Sequence, residues 1–397
     1  MLNARTLAGI ALIGLTLAGC GGSASPAPVS PASPSAPATA QPSAAAAQPA
    51  SGAAATASAK PAGTWDDMVA AAKKEGKVTI FAAPDPDSRT KIPPLFKQRF
   101  GIDVEYVTFD ASRLGARMES ERAANQYLWD VVVTGADTVY GLFVAREWLD
   151  PLKPALLMPE VADTSKWKGG KLWFRDAKGE LVLQIFNTVS MPVTINTQFV
   201  QPKDLATADA LLDPKWKGKI SAFDPSVNGT GLASGSALYV NKGQEFVTKL
   251  YKEQVGALTR DYQQAPEWLA HGTYPIGIAV GPNYMERYKK AGMNFAEPEF
   301  SDSPGSVSAG FGLINLINKA PHPNAARVFA NWMASKEALT VYGETQGQVP
   351  TRNDVDPTWA LPTQLPKDGV NYLDTYAPDF VTTKRTAVRD FYQKLLS

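Results

Sequence analysis

One loop of the chain carries the side chains best suited to holding an anion. Between Asp224 and Gly231 the sequence runs Asp-Pro-Ser-Val-Asn-Gly-Thr-Gly, so hydroxyl and amide side chains stand among residues that bend the backbone. The loop opens a segment with helical character, and free amides at a helix start attract anions through hydrogen bonds and the helix dipole. The sequence therefore predicts an anion-binding loop with four ligating residues, namely Ser226, Asn228, Gly229 and Thr230.

Two earlier loops contain residues of the same kind. Asp85 and Ser88 follow one run of β-forming residues, and Thr134 and Gly135 end another. Ligands of open α/β sheets lie outside the carboxyl ends of the strands, so these residues are candidates for ligand contact. An alternative fits them equally well, because such residues also cap the free amides of a helix start. Tyr284, which follows a later β-forming run, completes the candidate set.

Cys20 is the only cysteine of the chain, and its setting predicts a lipid anchor. It closes the run Leu-Ala-Gly-Cys behind Arg5 and an apolar stretch at 7–17. A basic start, a short apolar segment and small residues before a cut are typical of a secretory signal, and this start resembles that of bacterial lipoproteins. We expect residues 1–19 to be removed and Cys20 to be acylated, which holds the chain at the extracytoplasmic face of a bacterial cell membrane, in the periplasm or at the cell surface.

Composition divides the rest of the chain into a tether and a folded part. Residues 20–63 consist almost entirely of Ala, Pro, Ser, Gly, Thr and Gln, which offer too little apolar bulk to form a core, so a disordered tether is predicted. Residues 64–397 are long enough for two lobes. The whole chain has 39 basic and 38 acidic residues, a balance that argues against nucleic acid as a partner.

Helical and β-forming patterns alternate along the folded part. After a first helix around 65–72, strands are predicted at 78–81, 104–107 and 129–133, with helices at 87–100 and 112–126 between them. An amphipathic helix is predicted after Pro323, with Val328, Phe329 and Trp332 on its apolar face, and a last helix at 383–396. The alternation predicts βαβ units and parallel sheets, that is, an α/β fold.

Two further segments carry a family resemblance. The stretch from Leu211 to Ile220, read with the loop from Asp224 to Gly231, and the late stretch from Lys319 to Glu337 closely resemble extracellular solute-binding proteins of ABC importers. The branch is the one that contains the ferric-ion-binding proteins. The resemblance implies a two-lobed type II periplasmic-binding-protein fold with a ligand cleft between the lobes. It divides the chain into a first lobe at 64–190, a second lobe at 191–307, a return to the first lobe at 308–350 and a C-terminal helical segment at 351–397.

The resemblance also raises the question of ferric ion as the transported ligand. Ferric-binding relatives use an adjacent tyrosine pair, commonly with a histidine and a carboxylate from the first lobe. This chain has Asn283 beside Tyr284, and its loop at 82–89 contains no histidine. His271 and His322 are expected to cap or pack rather than to ligate. A small oxyanion or organic acid is therefore favoured over ferric ion held by Tyr284, an amine stays open, and no other cofactor is expected.

The resemblance implies capture of a solute by lobe closure and its delivery to an ABC permease and ATPase. Two alternatives remain open, a lipoprotein that presents its ligand to a sensor and an extracytoplasmic enzyme. Against an enzyme, the sequence contains no phosphate-cradling GxxxxGK[ST], no GxSxG, no cysteine nucleophile and no HExxH. Carboxylates assembled in space would escape such a search. We expect a monomer that is not an enzyme.

Overall fold

The computed structural model describes residues 63–108 and 111–397. Cys20, the signal segment and all but the last residue of the predicted tether lie outside the described residues. Within the described ranges, no helix combines the length and the apolar character needed to cross a membrane.

Helices and strands alternate through most of the folded part, as predicted. The α-helices are α1 Trp65–Glu75, α2 Pro86–Phe100, α3 Ala111–Ala123, α4 Ala136–Thr138, α5 Pro159–Ala162, α6 Thr230–Lys249, α7 Gln264–Ala270, α8 Glu286–Lys290, α9 Pro323–Met333, α10 Lys336–Gln346 and α11 Arg385–Leu396. The strands are β1 Lys77–Phe81, β2 Asp103–Val107, β3 Val131–Thr134, β4 Leu149–Asp150, β5 Leu183–Gln184, β6 Thr188–Ser190, β7 Val193–Asn196, β8 Ile220–Phe223, β9 Val255–Thr259, β10 Ile276–Ile278, β11 Phe295–Ala296, β12 Ser306–Ser308, β13 Leu313–Ile317 and β14 Leu373–Asp374.

The strands form two main sheets, each with its own buried core. The first has the order β2-β1-β3-β13-β4, with β5 also paired to β13, and the second has the order β11-β7-β10-β8-β9. Pairing is parallel at β1–β2, β1–β3, β8–β10 and β8–β9, and antiparallel where β7, β11 and β13 join. We refer to the parts built on these sheets as the first and the second lobe.

A small third sheet, the hinge sheet, joins the two lobes. It has the order β14-β12-β6, with β6 and β12 antiparallel and β14 parallel to β12. Because β6 immediately precedes β7 and β12 immediately precedes β13, the chain passes through this sheet on its way to the second lobe and again on its way back.

Two glycines end early helices, and the predicted apolar face of the late helix is confirmed. Gly76 and Gly101 end α1 and α2 in the left-handed conformation, each with φ 73°, which glycine adopts at little cost. In α9 the predicted face of Val328, Phe329 and Trp332 is fully buried against the first sheet. The periodicity of apolar residues along the sequence thus predicted the buried face of α9 correctly.

Candidate functional site

The start of α6 lies directly on the carboxyl end of β8. Gly229 precedes the helix with φ 141° and ψ −165°, a conformation open essentially to glycine. A Cβ at Gly231 would lie only 2.5 Å from the carbonyl oxygen of Asp224 and 2.7 Å from that of Phe223. Glycine is therefore required for this close approach. The first amides of a helix have no acceptor within the helix, so the arrangement presents donors at the strand end.

Asp224 organises the loop between β8 and α6. Its Oδ1 accepts the backbone N–H of Ser226 at 2.8 Å and the Ser226 hydroxyl at 2.6 Å, and its Oδ2 accepts Nε of Arg260 at 2.9 Å. Burial opposes ionisation of Asp224, but these hydrogen bonds outweigh it and the pKa of the carboxyl is lowered. The carboxylate is thus neutralised by Arg260, and the Ser226 hydroxyl is committed to it.

The other predicted residues of this loop differ in what they have available for a ligand. The hydroxyl oxygen of Thr230 is buried and has no hydrogen-bond partner in the part of the chain that the structure describes. Asn228 is exposed, with its Oδ1 3.5 Å from Nη1 of Arg389. A Cβ at Gly229 would lie 3.1 Å from the Tyr262 hydroxyl, so the loop backbone approaches that phenol closely. Thr230 therefore has an unused hydroxyl beside the helix start.

Three aromatic rings form a cluster next to the start of α6. The ring centroids of Phe223 and Tyr262 lie 4.9 Å apart, those of Tyr262 and Tyr284 5.5 Å, and those of Phe223 and Tyr284 6.1 Å. Tyr262 is 42% exposed although it packs on both neighbours. This aromatic cluster places ring faces and phenol hydroxyls next to the amides of α6. Such a surface is suited to an anion whose remaining part is apolar or ring-shaped.

Tyr262, Phe223 and Arg260 were missed by the sequence analysis. A signal for Tyr262 and Arg260 existed, because both follow β9, a parallel strand next to β8, and therefore lie at the same sheet edge as the predicted loop. The aromatic packing itself had no signal, since it depends on how the end of β8 meets the segments that follow β9 and β10.

The four predicted first-lobe residues make their contacts apart from this cluster. Oδ2 of Asp85 caps α2 by accepting the Ser88 N–H at 2.7 Å. Ser88 is fully buried, and its hydroxyl lies 2.6 Å from that of Thr345. Thr134 is buried at the end of β3, opposite Leu313 of β13. A Cβ at Gly135, the residue before α4, would lie 3.4 Å from the carbonyl oxygen of Gly310. The capping alternative accounts for Asp85, and Ser88 lies in the lobe interior.

The histidines and carboxylates of the described residues are too dispersed to form a metal site. Within residues 63–108 and 111–397, no group of three or more His, Cys, Asp or Glu side chains is arranged to hold a metal ion. His322 precedes α9 and contacts Asp130, whereas exposed His271 packs edge-on against Tyr288. Both histidine rings thus contact neighbouring side chains, in agreement with the predicted packing role. The phenols of Tyr262 and Tyr284 are the oxygen groups at the cluster that a hard cation could use.

Comparison with known proteins supplies the context for this arrangement. The model of a family described as bacterial extracellular solute-binding protein matches residues 95–367. Iron uptake protein A2 of Synechocystis sp. is 29% identical over 198 residues, which are 45% of this chain and 57% of that relative. The chain thus spans little more than half the length of that curated relative.

Solved structures share the fold at low sequence identity. Iron-bound HitA from Pseudomonas aeruginosa has a TM-score of 0.62 at 19% identity, covering 80% of this chain and 99% of its own. The periplasmic binding protein AfuA from Actinobacillus pleuropneumoniae, with exogenous fructose-6-phosphate bound, has a TM-score of 0.60 at 17% identity, covering 81% and 98%. The predicted α/β type II periplasmic-binding-protein fold is confirmed.

Proposed function

This chain belongs to the bacterial extracellular solute-binding protein family, and we propose that it is the membrane-anchored solute-binding component of an ABC importer. It captures a small organic acid or oxyanion in the cleft between the lobes, closes on it and delivers it to a permease and ATPase. Members of this family are transport components rather than enzymes, which supports a binding role. Acylated Cys20 is the proposed anchor and residues 20–63 the tether.

The start of α6 is the observation that carries the anion assignment. Its amides lie at the end of β8, and beside them lies the Thr230 hydroxyl, which has no hydrogen-bond partner among the described residues. The nearby Asp224 carboxylate is already paired with Arg260. An anion placed there gains hydrogen bonds and the favourable end of the helix dipole without meeting an unpaired negative charge. Of the predicted loop residues, Gly229 and Thr230 are the ones we retain as direct ligands, with Tyr284 packing beside them.

Ferric ion is the second candidate, favoured by the relatives. The names of iron uptake protein A2 and iron-bound HitA assign iron to those proteins. Against it stand Asn283 beside Tyr284 and the contact of the His322 ring with the Asp130 carboxylate. The AfuA structure with fructose-6-phosphate supports the view that this fold also accommodates an organic anion.

Lobe closure is the proposed mechanism of capture. A solute that contacts both lobes stabilises the closed state by its differential affinity for that state. The lobes would rotate about the hinge sheet, because β6 leads directly into β7 of the second lobe and β12 leads directly into β13 of the first lobe.

A binding panel tests the proposal. The full chain, purified in detergent without refolding, is examined by native mass spectrometry and then titrated calorimetrically with fructose-6-phosphate, citrate, inorganic phosphate and ferric citrate. Binding of an anion with a smaller scattering radius supports the proposal. Binding of iron alone, or of an anion without any change in radius, contradicts the assignment of the ligand or of the closure mechanism, respectively.

A further inference from the structure

We propose that the C-terminal strap, residues 373–397, completes the solute site, with Tyr376 contacting the bound solute and Arg385 positioning Tyr376. The inference rests on the proposed function and extends it, because the strap lies outside every loop from which the ligand site was predicted. A solute site completed by Tyr376 favours organic anions that offer a ring or a polyhydroxylated face to aromatic side chains.

The strap enters the molecule through the hinge sheet. Its first two residues form β14, which pairs in parallel with β12 in the register Ser306 to Leu373 and Val307 to Asp374. The Thr375 hydroxyl then donates to the Val307 carbonyl oxygen at 3.2 Å. Tyr376, the next residue, is therefore placed by backbone pairing at the junction of the two lobes.

Beyond Tyr376 the strap is anchored to both lobes. The π-helical turn Phe380–Lys384 packs against a similar turn at Val139–Val144, and Val381 joins the apolar core there. Helix α11 then packs along α6, where the Tyr392 hydroxyl donates to the Gly235 carbonyl oxygen at 3.0 Å. Gln393 Nε2 donates to the Ser226 carbonyl oxygen at 3.1 Å, so the strap also holds the loop that starts α6.

Tyr376 lies near groups of the first lobe, the hinge sheet and the second lobe. Burial raises the pKa of Tyr376, Arg385 and a hydrogen bond with Ser308 oppose the rise, and Asp137 and Tyr262 add to it. Asp137 belongs to the first lobe, Ser308 to the hinge sheet and Tyr262 to the second lobe. The Tyr376 phenol thus stays neutral at physiological pH, and its electrostatic surroundings include Tyr262, whose exposed ring borders the start of α6.

Arg385 holds the Tyr376 ring in place. The side chain is 2% exposed, its Nη1 lies 2.8 Å from Oδ1 of Asp137, and its Nη2 donates to the Thr375 carbonyl oxygen. Its guanidinium carbon lies 5.4 Å from the centre of the Tyr376 ring, within the range of a cation–π contact. Because Asp137 neutralises Arg385, its role is to fix the ring rather than to bind the anion directly.

The combined arrangement favours one class of solute. An anionic group at the α6 amides would leave the rest of the solute beside Tyr262, with Tyr376 on the side of the hinge. Aromatic faces and a neutral phenol donor bind an organic body, whereas a bare inorganic oxyanion gains nothing from them. Fructose-6-phosphate is a suitable probe because it joins a phosphate to a hydroxylated ring.

Affinity and selectivity in strap variants test the proposal. The full chain and its Tyr376→Phe, Tyr376→Ala, Arg385→Lys and Arg385→Gln variants are titrated with fructose-6-phosphate, citrate and inorganic phosphate, and Tm is measured for each without ligand. Tyr372→Ala is the matched control, since this tyrosine precedes the strap and lies near the backbone of Lys367. Tyr376→Phe keeps the ring and removes only the hydroxyl, so it tests the contact with the solute even if Tyr376→Ala fails to fold.

Tyr376→Phe should weaken binding of the organic probe about two- to tenfold through the loss of one hydrogen bond, with Tm little changed. Tyr376→Ala should weaken it about tenfold or more, and should lower the preference for the organic probe over inorganic phosphate. Arg385→Lys should retain more of that preference than Arg385→Gln. Full organic affinity in both Tyr376 variants overturns the inference alone. Failure of the unmodified chain to bind any of the three anions overturns the proposed function and the inference with it.

Discussion

The imidazole of His322 lies 2.9 Å from the fully buried carboxylate of Asp130, measured from Nδ1 to Oδ2. The same carboxylate accepts the backbone N–H of Thr79 at 2.7 Å and that of His322 at 2.8 Å. Asp130 immediately precedes β3, Thr79 belongs to β1 and His322 precedes α9. One carboxylate thus ties two adjacent strands to the start of α9.

This pair predicts pH-dependent stability. The hydrogen bond to Asp130 raises the pKa of His322 above its usual value of 6.5, although burial opposes the rise. Because the pKa is higher in the folded state, the stabilisation is fully present below about pH 6.5 and is lost as pH rises through the folded pKa. His322→Gln should therefore lower Tm more at about pH 5.5 than at about pH 9, as followed by thermal unfolding. His271→Gln, at an exposed site, should change Tm equally little at both, and an equal loss for His322→Gln at both values would contradict the prediction.

Glu297, in the second lobe, predicts a further pH dependence of stability. Burial raises the pKa of Glu297 from 4.5 to about 8, against a hydrogen bond from Thr363 and the charge of Lys289. The protonated carboxyl is favoured in the fold, so its contribution is fully present below about pH 4.5 and declines as pH rises through the folded pKa of about 8. Glu297→Gln should raise Tm at about pH 8.5 and have little effect near pH 4.5.

Glu299→Gln is the control for that measurement. Glu299 is half exposed and pairs with Lys367 at 2.6 Å, a surface ion pair worth less than about 1 kcal/mol. Its substitution should change Tm only slightly across the same range. A Glu297→Gln variant that is less stable than the unmodified chain at about pH 8.5 would show that the carboxyl is ionised and paired.

Thr230 separates stability from binding. Its hydroxyl oxygen is buried without a hydrogen-bond partner in the described chain, so Thr230→Val should leave the Tm of the ligand-free protein unchanged or raise it. Affinity for the anion should nevertheless fall about tenfold or more, the effect of losing a charge-assisted hydrogen bond. Thr248→Val is the control, because that hydroxyl bonds to the Gln244 carbonyl oxygen near the other end of α6. Unchanged affinity in Thr230→Val would move the anion site elsewhere.

Tyr284 distinguishes ferric ion from an anion. A phenolate bound to ferric iron produces a visible charge-transfer band, and iron favours such anionic oxygen ligands. Since Asn283 occupies the neighbouring position, we expect no colour after ferric citrate is added. Absorption spectra of the unmodified chain and of Tyr284→Phe make the comparison. A band present in the first and absent in the second would assign iron to this protein.

Cys20→Ser tests the proposed anchor. The substitution removes the thiol that would accept the lipid, so the variant should accumulate as unprocessed precursor or appear as soluble protein. Labelled fatty acid supplied to the producing cells should mark the unmodified chain but not the variant. Equal labelling of both would rule out Cys20 as the site of acylation.

The sequence by itself determined the elements and the type of fold. Alternation of apolar and polar residues is a local property, and it was enough to place α1, α2, β1 and the buried face of α9 close to where the structure has them. Two family-like segments, around Asp213 and around Lys319, then sufficed for the two-lobed architecture. The loop from Ser226 to Thr230 could be singled out because glycine and hydroxyl residues before a helix have a recognisable local chemistry.

Only the tertiary structure decided which of these residues share a site. The buried Ser88 hydroxyl contacts that of Thr345, a residue 257 positions away, and nothing near Ser88 in the sequence indicates that contact. Tyr262 meets Tyr284 through two loops of different strands. The strap brings Arg385 to Asp137, 248 positions away, because β14 adds to the hinge sheet. Contacts at such separations depend on how the chain threads between the lobes, which local periodicity does not encode.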